Sequence, residues 1–287
     1  MRAIAAAGCA IVAIGLSATR PAGQVRYRAQ ASVVVVDVAV TDGRKPVPNL
    51  MREDFELRDN GVVQEILDFS RETLPLDVAI VIDISGSMTP TDRTAVMRAI
   101  EQVGGALRDQ DRASVTTFDS RIVQRSALQP PPLRVDLQAV GPGTSVLDAL
   151  LLSLVTAPPI DRRQFVLFMT DGQDTSSYFD ARTVLETAKH AGAPVTIVLV
   201  PDRSNSATRD VGTSLARTTG GEVIELKRHA ELGGAFRTAL ENFRTSYMLR
   251  YTPTGVAREG WHDLTVSVRG RKYDVRARRG YVGWPGS

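Results

Sequence analysis

The hydrophobic pattern is most informative from Asp77 to Pro90, which reads DVAIVIDISGSMTP. Val78 to Ile82 are apolar without alternation, a pattern typical of a strand buried on both faces of a parallel sheet. The apolar run ends in Asp83, Ser85 and Ser87, which are therefore predicted at the carboxyl end of this strand. In an open α/β sheet, ligands bind in the crevice at that end.

The stretch after this loop has the periodicity of a helix, and strand and helix patterns alternate downstream. Apolar residues of Thr91 to Leu107 fall at helical spacing. Because such alternation demands parallel pairing, we predict an α/β fold with a doubly wound, mostly parallel sheet flanked by helices, of Rossmann-like type. Further strands are predicted at 113–118, 122–126, 165–170, 195–200 and 222–226, and further helices at 145–155, 180–191, 211–218 and 232–243.

The two ends of the chain carry β-type patterns instead. Ala31 to Val40 is rich in β-branched residues, and Asn60-Gly61 predicts a hairpin turn whose second strand is Val62 to Phe69. Near the C-terminus, strands are predicted at 247–251, 263–268 and 273–277. Neither end is long enough for a comfortable core of its own, so we predict a small discontinuous β-sandwich into which the α/β domain is inserted.

The predicted organisation is a signal peptide at 1–24, an N-terminal β segment at 25–74, the α/β domain at 75–246 and a C-terminal β segment at 247–287. Met1-Arg2 and the apolar run Ala3 to Ala18 are typical of a signal peptide. We therefore expect an exported protein, periplasmic, cell-surface or secreted, without a membrane span in its mature chain. Ala6-Ala7-Gly8-Cys9 resembles a lipid-attachment box, but almost no apolar stretch precedes it, so we favour export without a lipid anchor.

Composition narrows the class of partner. With 43% hydrophobic and 23% charged residues, the chain is of globular type. The net charge is only +3, and no basic helix or aromatic stacking motif accompanies it, so no nucleic acid partner is expected. In the last predicted strand, Lys272, Asp274, Arg276 and Arg278 alternate with apolar residues, and we interpret them as a solvated strand face rather than a polyanion site.

The oxygen atoms of Asp83, Ser85 and Ser87 suit a hard divalent cation, because Mg²⁺ prefers oxygen ligands in near-octahedral geometry. Other chemistries fit the loop less well. An aspartyl-phosphate enzyme would want a second carboxylate where Ser85 stands, and a nucleophile elbow would read Gly-x-Ser-x-Gly where this loop reads Ile-Ser-Gly-Ser-Met. The serines could also serve only to cap the following helix.

Two downstream loops extend this pattern. Gly141-Pro142-Gly143-Thr144-Ser145 precedes a predicted helix, and the strand at 165–170 ends in Asp171-Gly172. With Asp83-x-Ser85-x-Ser87, these loops resemble the metal-ion-dependent adhesion site (MIDAS) of von Willebrand factor type A (VWFA) domains. The resemblance implies a metal site formed by Asp83, Ser85, Ser87, Thr144 and Asp171, which would hold Mg²⁺, or else Mn²⁺ or Ca²⁺.

The flanking segments resemble a set of exported bacterial VWFA-related proteins, typified by acidobacteria. That likeness rests on Val40-Thr41-Asp42, Glu53-Asp54-Phe55 and Arg278-Arg279-Gly280-Tyr281.

The resemblance implies an exported, divalent-metal-dependent protein-binding module of the adhesion type, whose partner offers an acidic side chain to the metal. The alternative is a structural or assembly module that binds partners through the β-sandwich and whose metal site is vestigial. A metal-assisted hydrolase is a third reading, since a divalent ion can activate water. We do not expect an enzyme, because His190, His229 and His262 are distant in sequence and no general base is evident near the motif.

Overall fold

The computed structural model describes residues 33–43, 45–71, 74–86, 88–137, 141–155, 161–200 and 206–283, so the predicted signal peptide lies outside the described residues. Five strands come first, at Val34–Asp42 (β1), Lys45–Pro46 (β2), Phe55–Asp59 (β3), Val62–Gln64 (β4) and Asp68–Arg71 (β5). The central region follows, with Leu76–Asp83 (β6), Pro90–Ala106 (α1), Arg112–Phe118 (β7), Ile122–Gln129 (β8), Val146–Leu154 (α2), Arg163–Thr170 (β9), Ala181–Ala188 (α3), Val195–Leu199 (β10), Ser206–Thr219 (α4), Val223–Glu225 (β11) and Leu232–Arg244 (α5). The last strands are Tyr247–Tyr251 (β12), Gly260–Val268 (β13), Asp274–Ala277 (β14) and Gly280–Gly283 (β15).

A six-stranded sheet forms the middle of the central region, in the order β11-β10-β9-β6-β7-β8. Its neighbouring strands pair in parallel except β8, which runs antiparallel to β7 at one edge. All residues of β6 are buried except the half-buried Ala79, as expected for a strand covered on both faces. The predicted α/β fold with a doubly wound, mostly parallel sheet flanked by helices is confirmed.

Helices cover both faces of this sheet. On one face, Val96 of α1 and Phe236 of α5 join Ile80 of β6 in one hydrophobic cluster. On the other face, Val184 of α3 packs in a second cluster with Phe168 of β9, and α2 and α4 contribute to the same cluster. Burying one such side chain contributes about 1.5–3 kcal/mol, so the apolar faces of the helices fix them to the sheet. Within the described residues, no helix combines the length and the apolar character needed to cross a membrane.

Strands from the two ends of the chain form two antiparallel sheets. The order β14-β1-β12-β5, with β2 beside β1, makes a five-stranded sheet, and β15-β13-β3-β4 makes a four-stranded one. Because β1 pairs with β12 and β3 with β13, each sheet combines strands from both ends. The sheets share one hydrophobic cluster, which includes Val36, Leu57 and Tyr247. The domain limits 25–74, 75–246 and 247–287 stay a prediction.

The predicted single strand from Val62 to Phe69 is wrong, because the structure divides it between the two sheets. β4 pairs with β3 in the four-stranded sheet, whereas β5 pairs with β12 in the five-stranded one. Between them, Ile66 is buried in the cluster that both sheets share. The backbone amide of Leu67 then donates to the carbonyl oxygen of Arg250 at 2.8 Å, which starts the pairing with the second sheet.

The predicted solvated face of the last strand is wrong for Arg276 and Arg278. Nη1 of Arg276 donates to Oε2 of Glu222 at 2.7 Å. Nη2 of Arg278 lies 3.4 Å from the carbonyl oxygen of Lys189, and burial lowers the pKa of the Arg278 guanidinium. The other two members of the pattern are exposed as predicted. Alternation predicted the strand correctly, but it did not show that the α/β region covers part of the polar face.

Candidate metal centre

Asp83 is the last residue of β6 and has no exposed surface. Hydrogen bonds from neighbouring residues fix its carboxylate: the backbone amide of Ser85 donates to Oδ1 at 2.9 Å, and the hydroxyl of Thr170 donates to Oδ2 at 2.7 Å. Thr170 ends β9, the parallel neighbour of β6, so the two strands deliver their last residues to the same edge of the sheet. Asp83 therefore lies where the sequence predicts, oriented by a threonine that the motif did not include.

The loop after Asp83 leads directly into α1. Ser85 is buried, and its hydroxyl forms a hydrogen bond with the carboxylate of Asp83, while Ser87 lies outside the described residues. The N-cap of α1 is Thr89, whose hydroxyl accepts the amide hydrogen of Asp92 at 3.2 Å. Helix capping, the alternative role of the serines, therefore does not account for Ser85.

Thr144 is held at the same edge by contacts from two other loops. Oδ2 of Asp119, just after β7, accepts the amide hydrogen of Gly141 at 2.7 Å and so anchors the loop before Thr144. The hydroxyl of Thr175 accepts the amide hydrogen of Thr144 at 2.9 Å, and the carbonyl oxygen of Thr144 accepts the amides of Thr175 and Ser176 at 2.9 and 3.1 Å. These bonds fix the backbone of the buried Thr144 on both sides.

Asp171 directly follows β9 and is buried, with 6% of its surface exposed. Its neighbour Gly172 shows how closely the loops converge, because a Cβ atom at this glycine would lie 3.6 Å from Oδ2 of Asp83 and 3.7 Å from Oγ1 of Thr144. The structure therefore brings Asp83, Ser85, Thr144 and Asp171 to one edge of the sheet. Their role as metal ligands stays a prediction.

The carboxyl group of Asp83 resists ionisation in the folded chain. Burial raises its pKa from 3.8 to about 6; hydrogen bonds from Thr170 and Ser85 oppose the rise, and the charge of Asp171 adds to it. This difference corresponds to about 3 kcal/mol against the ionised form. A cation beside the two carboxylates would offset that unfavourable energy, because an opposite charge favours the ionised state.

The donor set of this edge fits a divalent cation. The predicted ligands offer only oxygen atoms, and two carboxylates balance the charge of one divalent ion. Among the residues that the structure describes, no three His, Cys, Asp or Glu side chains group as potential metal ligands. If the five residues of the motif were the sole protein ligands, their hydroxyl groups and water would complete the shell, as is typical of Mg²⁺.

The structure adds a histidine that the sequence did not indicate. His229 begins a short 3-10 turn, His229–Glu231, immediately before α5. Its Nδ1 atom lies 3.0 Å from Oδ1 of Asp92, and its Nε2 atom lies 3.8 Å from Oδ2 of Asp171. A histidine therefore lies beside Asp171, although none is close to the motif in the sequence. Packing of α1 against α5 brings His229 to the site, and no local pattern reports that contact.

Solved structures of other proteins share this architecture. A structure of proximal thread matrix protein 1 from the mussel byssus has a TM-score of 0.50 and 15% identity, and the match covers 64% of this chain and 49% of that one. A second structure of the mussel protein, with a zinc-occupied MIDAS motif, has a TM-score of 0.50 and 16% identity over the same shares. The ArnB paralog VWA2 from Sulfolobus acidocaldarius has a TM-score of 0.51 and 11% identity, and the match covers 89% of this chain and 77% of that one.

These comparisons concern three-dimensional structure alone. This chain spans about half the length of the mussel protein chains that it matches. No protein-family model matches the chain, and no curated protein matches its sequence. At identities of 11–16%, the shared feature is the fold. The central region of the chain has the fold of a von Willebrand factor type A domain.

Proposed function

We propose that this chain is a divalent-metal-dependent protein-binding module. The cation would be held by Asp83, Ser85, Thr144 and Asp171, together with Ser87 of the same motif. One observation carries this proposal: two buried carboxylates, Asp83 and Asp171, lie close enough for the charge of one to raise the pKa of the other. Such a pair is destabilising by itself, and a divalent cation removes the repulsion.

The charges of the site favour capture of an acidic side chain. Two carboxylates neutralise one divalent ion, and the hydroxyl groups of Ser85 and Thr144 add no charge. A coordination position left to water can be taken by a carboxylate of a partner, which adds a charge-assisted bond to a fixed cation. The zinc-occupied MIDAS motif in the mussel structure supports a divalent cation at this place in the fold.

An exposed aromatic pair lies on the loop that carries Asp171 and supports a protein partner. Tyr178 is 93% exposed and Phe179 is 48% exposed. The carboxylate of Asp148 accepts the backbone amides of both residues at 2.9 Å, so the loop is held in place with its aromatic side chains outward. Aromatic residues presented in this way are common anchors of protein interfaces.

Binding fits this edge better than hydrolysis does. His229 is the nearby group that could act as a base, but its Nε2 atom is buried and directed at Asp171. A general base must reach the proton that it removes from a substrate or water. The predicted signal peptide at 1–24 supports an exported protein that binds its partner in the periplasm, at the cell surface or after secretion.

Metal-linked stability tests the site itself. A concentration of free divalent metal ion about a hundredfold above its dissociation constant should raise the free energy of unfolding by about 2.7 kcal/mol. We expect this rise for the wild type and for the control Asp210→Asn, in which an exposed carboxylate is removed from α4, and no rise for Asp83→Asn. Equal metal-dependent shifts in Asp83→Asn and the wild type would refute the assignment.

The nature of the partner can be tested with a displayed random-peptide library. Selection on the metal-loaded protein is expected to enrich aspartate or glutamate, and EDTA or Asp83→Asn should abolish the enrichment. Selected peptides that bind equally well in EDTA would instead indicate contacts through the β-sandwich, the alternative in which the metal site is vestigial.

A further inference from the structure

His229 carries a buried nitrogen atom that faces the predicted metal centre. Within the described residues, Nε2 of His229 has no hydrogen-bond partner although it is buried. Leaving a buried polar group unpaired is destabilising. Oδ2 of Asp171 lies 3.8 Å from this nitrogen, too far for a direct hydrogen bond. The orphan nitrogen therefore needs another partner.

The second ring nitrogen of His229 has a partner that fixes the tautomer. Nδ1 lies 3.0 Å from Oδ1 of Asp92. Burial raises the pKa of Asp92, but hydrogen bonds from Thr89 and the interaction with His229 outweigh this effect, and the net pKa is lowered. A carboxylate accepts hydrogen bonds, so Nδ1 carries the hydrogen atom, which leaves Nε2 as the nitrogen whose lone pair can bind a metal. Metal-binding histidines are commonly oriented by a carboxylate in this way.

The distance between His229 and Asp171 is close to that between two ligands of one ion. Tetrahedral ligand atoms that each lie about 2.0–2.1 Å from Zn²⁺ are about 3.3 Å from each other. The separation of 3.8 Å between Nε2 and Oδ2 is roughly half an ångström longer, so a small movement of the two side chains would let both atoms bind one ion. A lone pair that faces a carboxylate is unfavourable unless positive charge lies between them.

We propose that Nε2 of His229 is a nitrogen ligand of the predicted metal centre, beside Asp171, and that it makes the site selective for zinc-type ions over Mg²⁺. This inference rests on the proposed function. Imidazole is a favoured ligand of Zn²⁺ and other late first-row metals, whereas Mg²⁺ prefers oxygen. The oxygen atoms of Asp83, Ser85 and Thr144 alone would suit Mg²⁺, so the preference would come from one residue outside the motif.

Titration calorimetry of the untagged full chain with Zn²⁺ and with Mg²⁺ tests this inference. His229→Gln should weaken Zn²⁺ binding on the order of 100-fold and leave Mg²⁺ binding nearly unchanged. Asp92→Asn, which removes the orienting carboxylate, should weaken Zn²⁺ binding about tenfold. The matched control is His190→Gln, which removes an exposed histidine after α3 and should keep the wild-type affinities.

X-ray absorption of the zinc-loaded protein gives a readout that folding defects do not imitate. The wild type and His190→Gln should show imidazole scattering, and His229→Gln should lack it. An unchanged ratio of Zn²⁺ to Mg²⁺ affinity in His229→Gln would overturn the inference. If Asp83→Asn still abolishes binding of both ions, the proposed function survives that result, whereas undiminished binding in Asp83→Asn would overturn both.

Discussion

Arg163 of β9 and Asp37 of β1 form an ion pair between the six-stranded and the five-stranded sheet, with Nη2 of Arg163 at 2.6 Å from Oδ1 of Asp37. The side chain of Arg163 is 4% exposed and that of Asp37 19%. The guanidinium of Arg163 also donates to the hydroxyl of Ser246 at 2.6 Å and lies over the ring of Phe243. This contact connects the inserted α/β region to the sandwich.

Removal of the acidic partner should therefore destabilise the whole chain. Asp37→Ala leaves a buried guanidinium without its counter-ion, and we expect a loss of about 3 kcal/mol in the free energy of unfolding. The matched control is Asp68→Ala, because Asp68 pairs with Arg250 at 2.7 Å but is 53% exposed. That pair should contribute less than about 1 kcal/mol. Urea unfolding measures both, and similar losses would show that burial of the first pair is unimportant.

The pKa of Asp83 predicts an unusual pH dependence in the absence of metal. Because the folded-state pKa is raised to about 6 from 3.8, the native state binds this proton more tightly than the unfolded state does. The stabilising contribution is complete below pH 3.8 and is lost as the pH rises through about 6. In EDTA, the protonation of Asp83 should therefore contribute more to the free energy of unfolding of the wild type at pH 5 than at pH 7.

Asp83→Asn isolates this contribution. The amide cannot ionise, so the variant should exceed the metal-free wild type in free energy of unfolding at pH 7 by up to about 3 kcal/mol. The advantage should shrink at pH 5. Urea unfolding in EDTA at both pH values measures the difference, and Asp210→Asn serves as the control. A variant less stable than the wild type at both pH values would contradict the raised pKa.

Gly143 lies at a position that another residue would strain. Its φ is +92°, and a Cβ atom there would collide with the hydroxyl of Ser176. Gly143→Ala should cost about 1–3 kcal/mol and, because Thr144 is the next residue, weaken metal binding about tenfold. Gly105→Ala is the control, since α1 leaves open space around it and alanine should stabilise that helix by up to about 1 kcal/mol. Undiminished metal affinity in Gly143→Ala would separate Thr144 from the site.

A buried polar cluster around Asp59 predicts a large effect of a single hydroxyl group. Asp59 is fully buried and accepts hydrogen bonds from Tyr251 at 2.8 Å and Tyr281 at 2.9 Å, and Nδ1 of His262 lies 2.8 Å from it. Burial raises the pKa of both tyrosines, so they remain donors.

Tyr251→Phe should lower the free energy of unfolding by about 1–3 kcal/mol, because the Asp59 carboxylate loses a buried donor. Tyr273→Phe removes a hydroxyl that accepts an exposed hydrogen bond from Arg271 at 3.2 Å and should change stability by less than about 0.5 kcal/mol. Thermal unfolding of the two variants compares them directly. Equal effects would show that the cluster is not a source of stability.

The sequence predicted the central sheet well because its strands are buried on both faces. Val78 to Ile82 and the strand that ends at Thr170 are continuous apolar runs. Such runs are typical of a parallel sheet that helices cover on both faces. The position of Asp83 followed from the same reasoning, since the oxygen atoms begin where the apolar run stops. Local pattern was sufficient here because burial of each strand is a property of that strand.

The errors concern contacts between segments far apart in the chain. The change of sheet at Ile66 depends on a cluster built from both ends of the sequence, and Arg276 is covered by a glutamate of the α/β region. His229 is 58 residues from Asp171 in the numbering, and only the packing of α1 and α5 brings them together. The spacing of apolar residues, every second residue in a strand or every 3.6 residues in a helix, does not predict such contacts.

Arg71 at the end of β5 pairs with Tyr247 at the start of β12. The chain therefore leaves the five-stranded sheet and returns to it at facing positions. β5 and β12 are antiparallel neighbours like the strands of a hairpin, but the segment that connects them is the whole α/β region. Each doubling of such a loop costs only about 0.6 kcal/mol in closure entropy. The antiparallel pair β5 and β12 could therefore accept connecting segments of very different length, and a short turn in place of the α/β region would leave the strand order of this sheet unchanged.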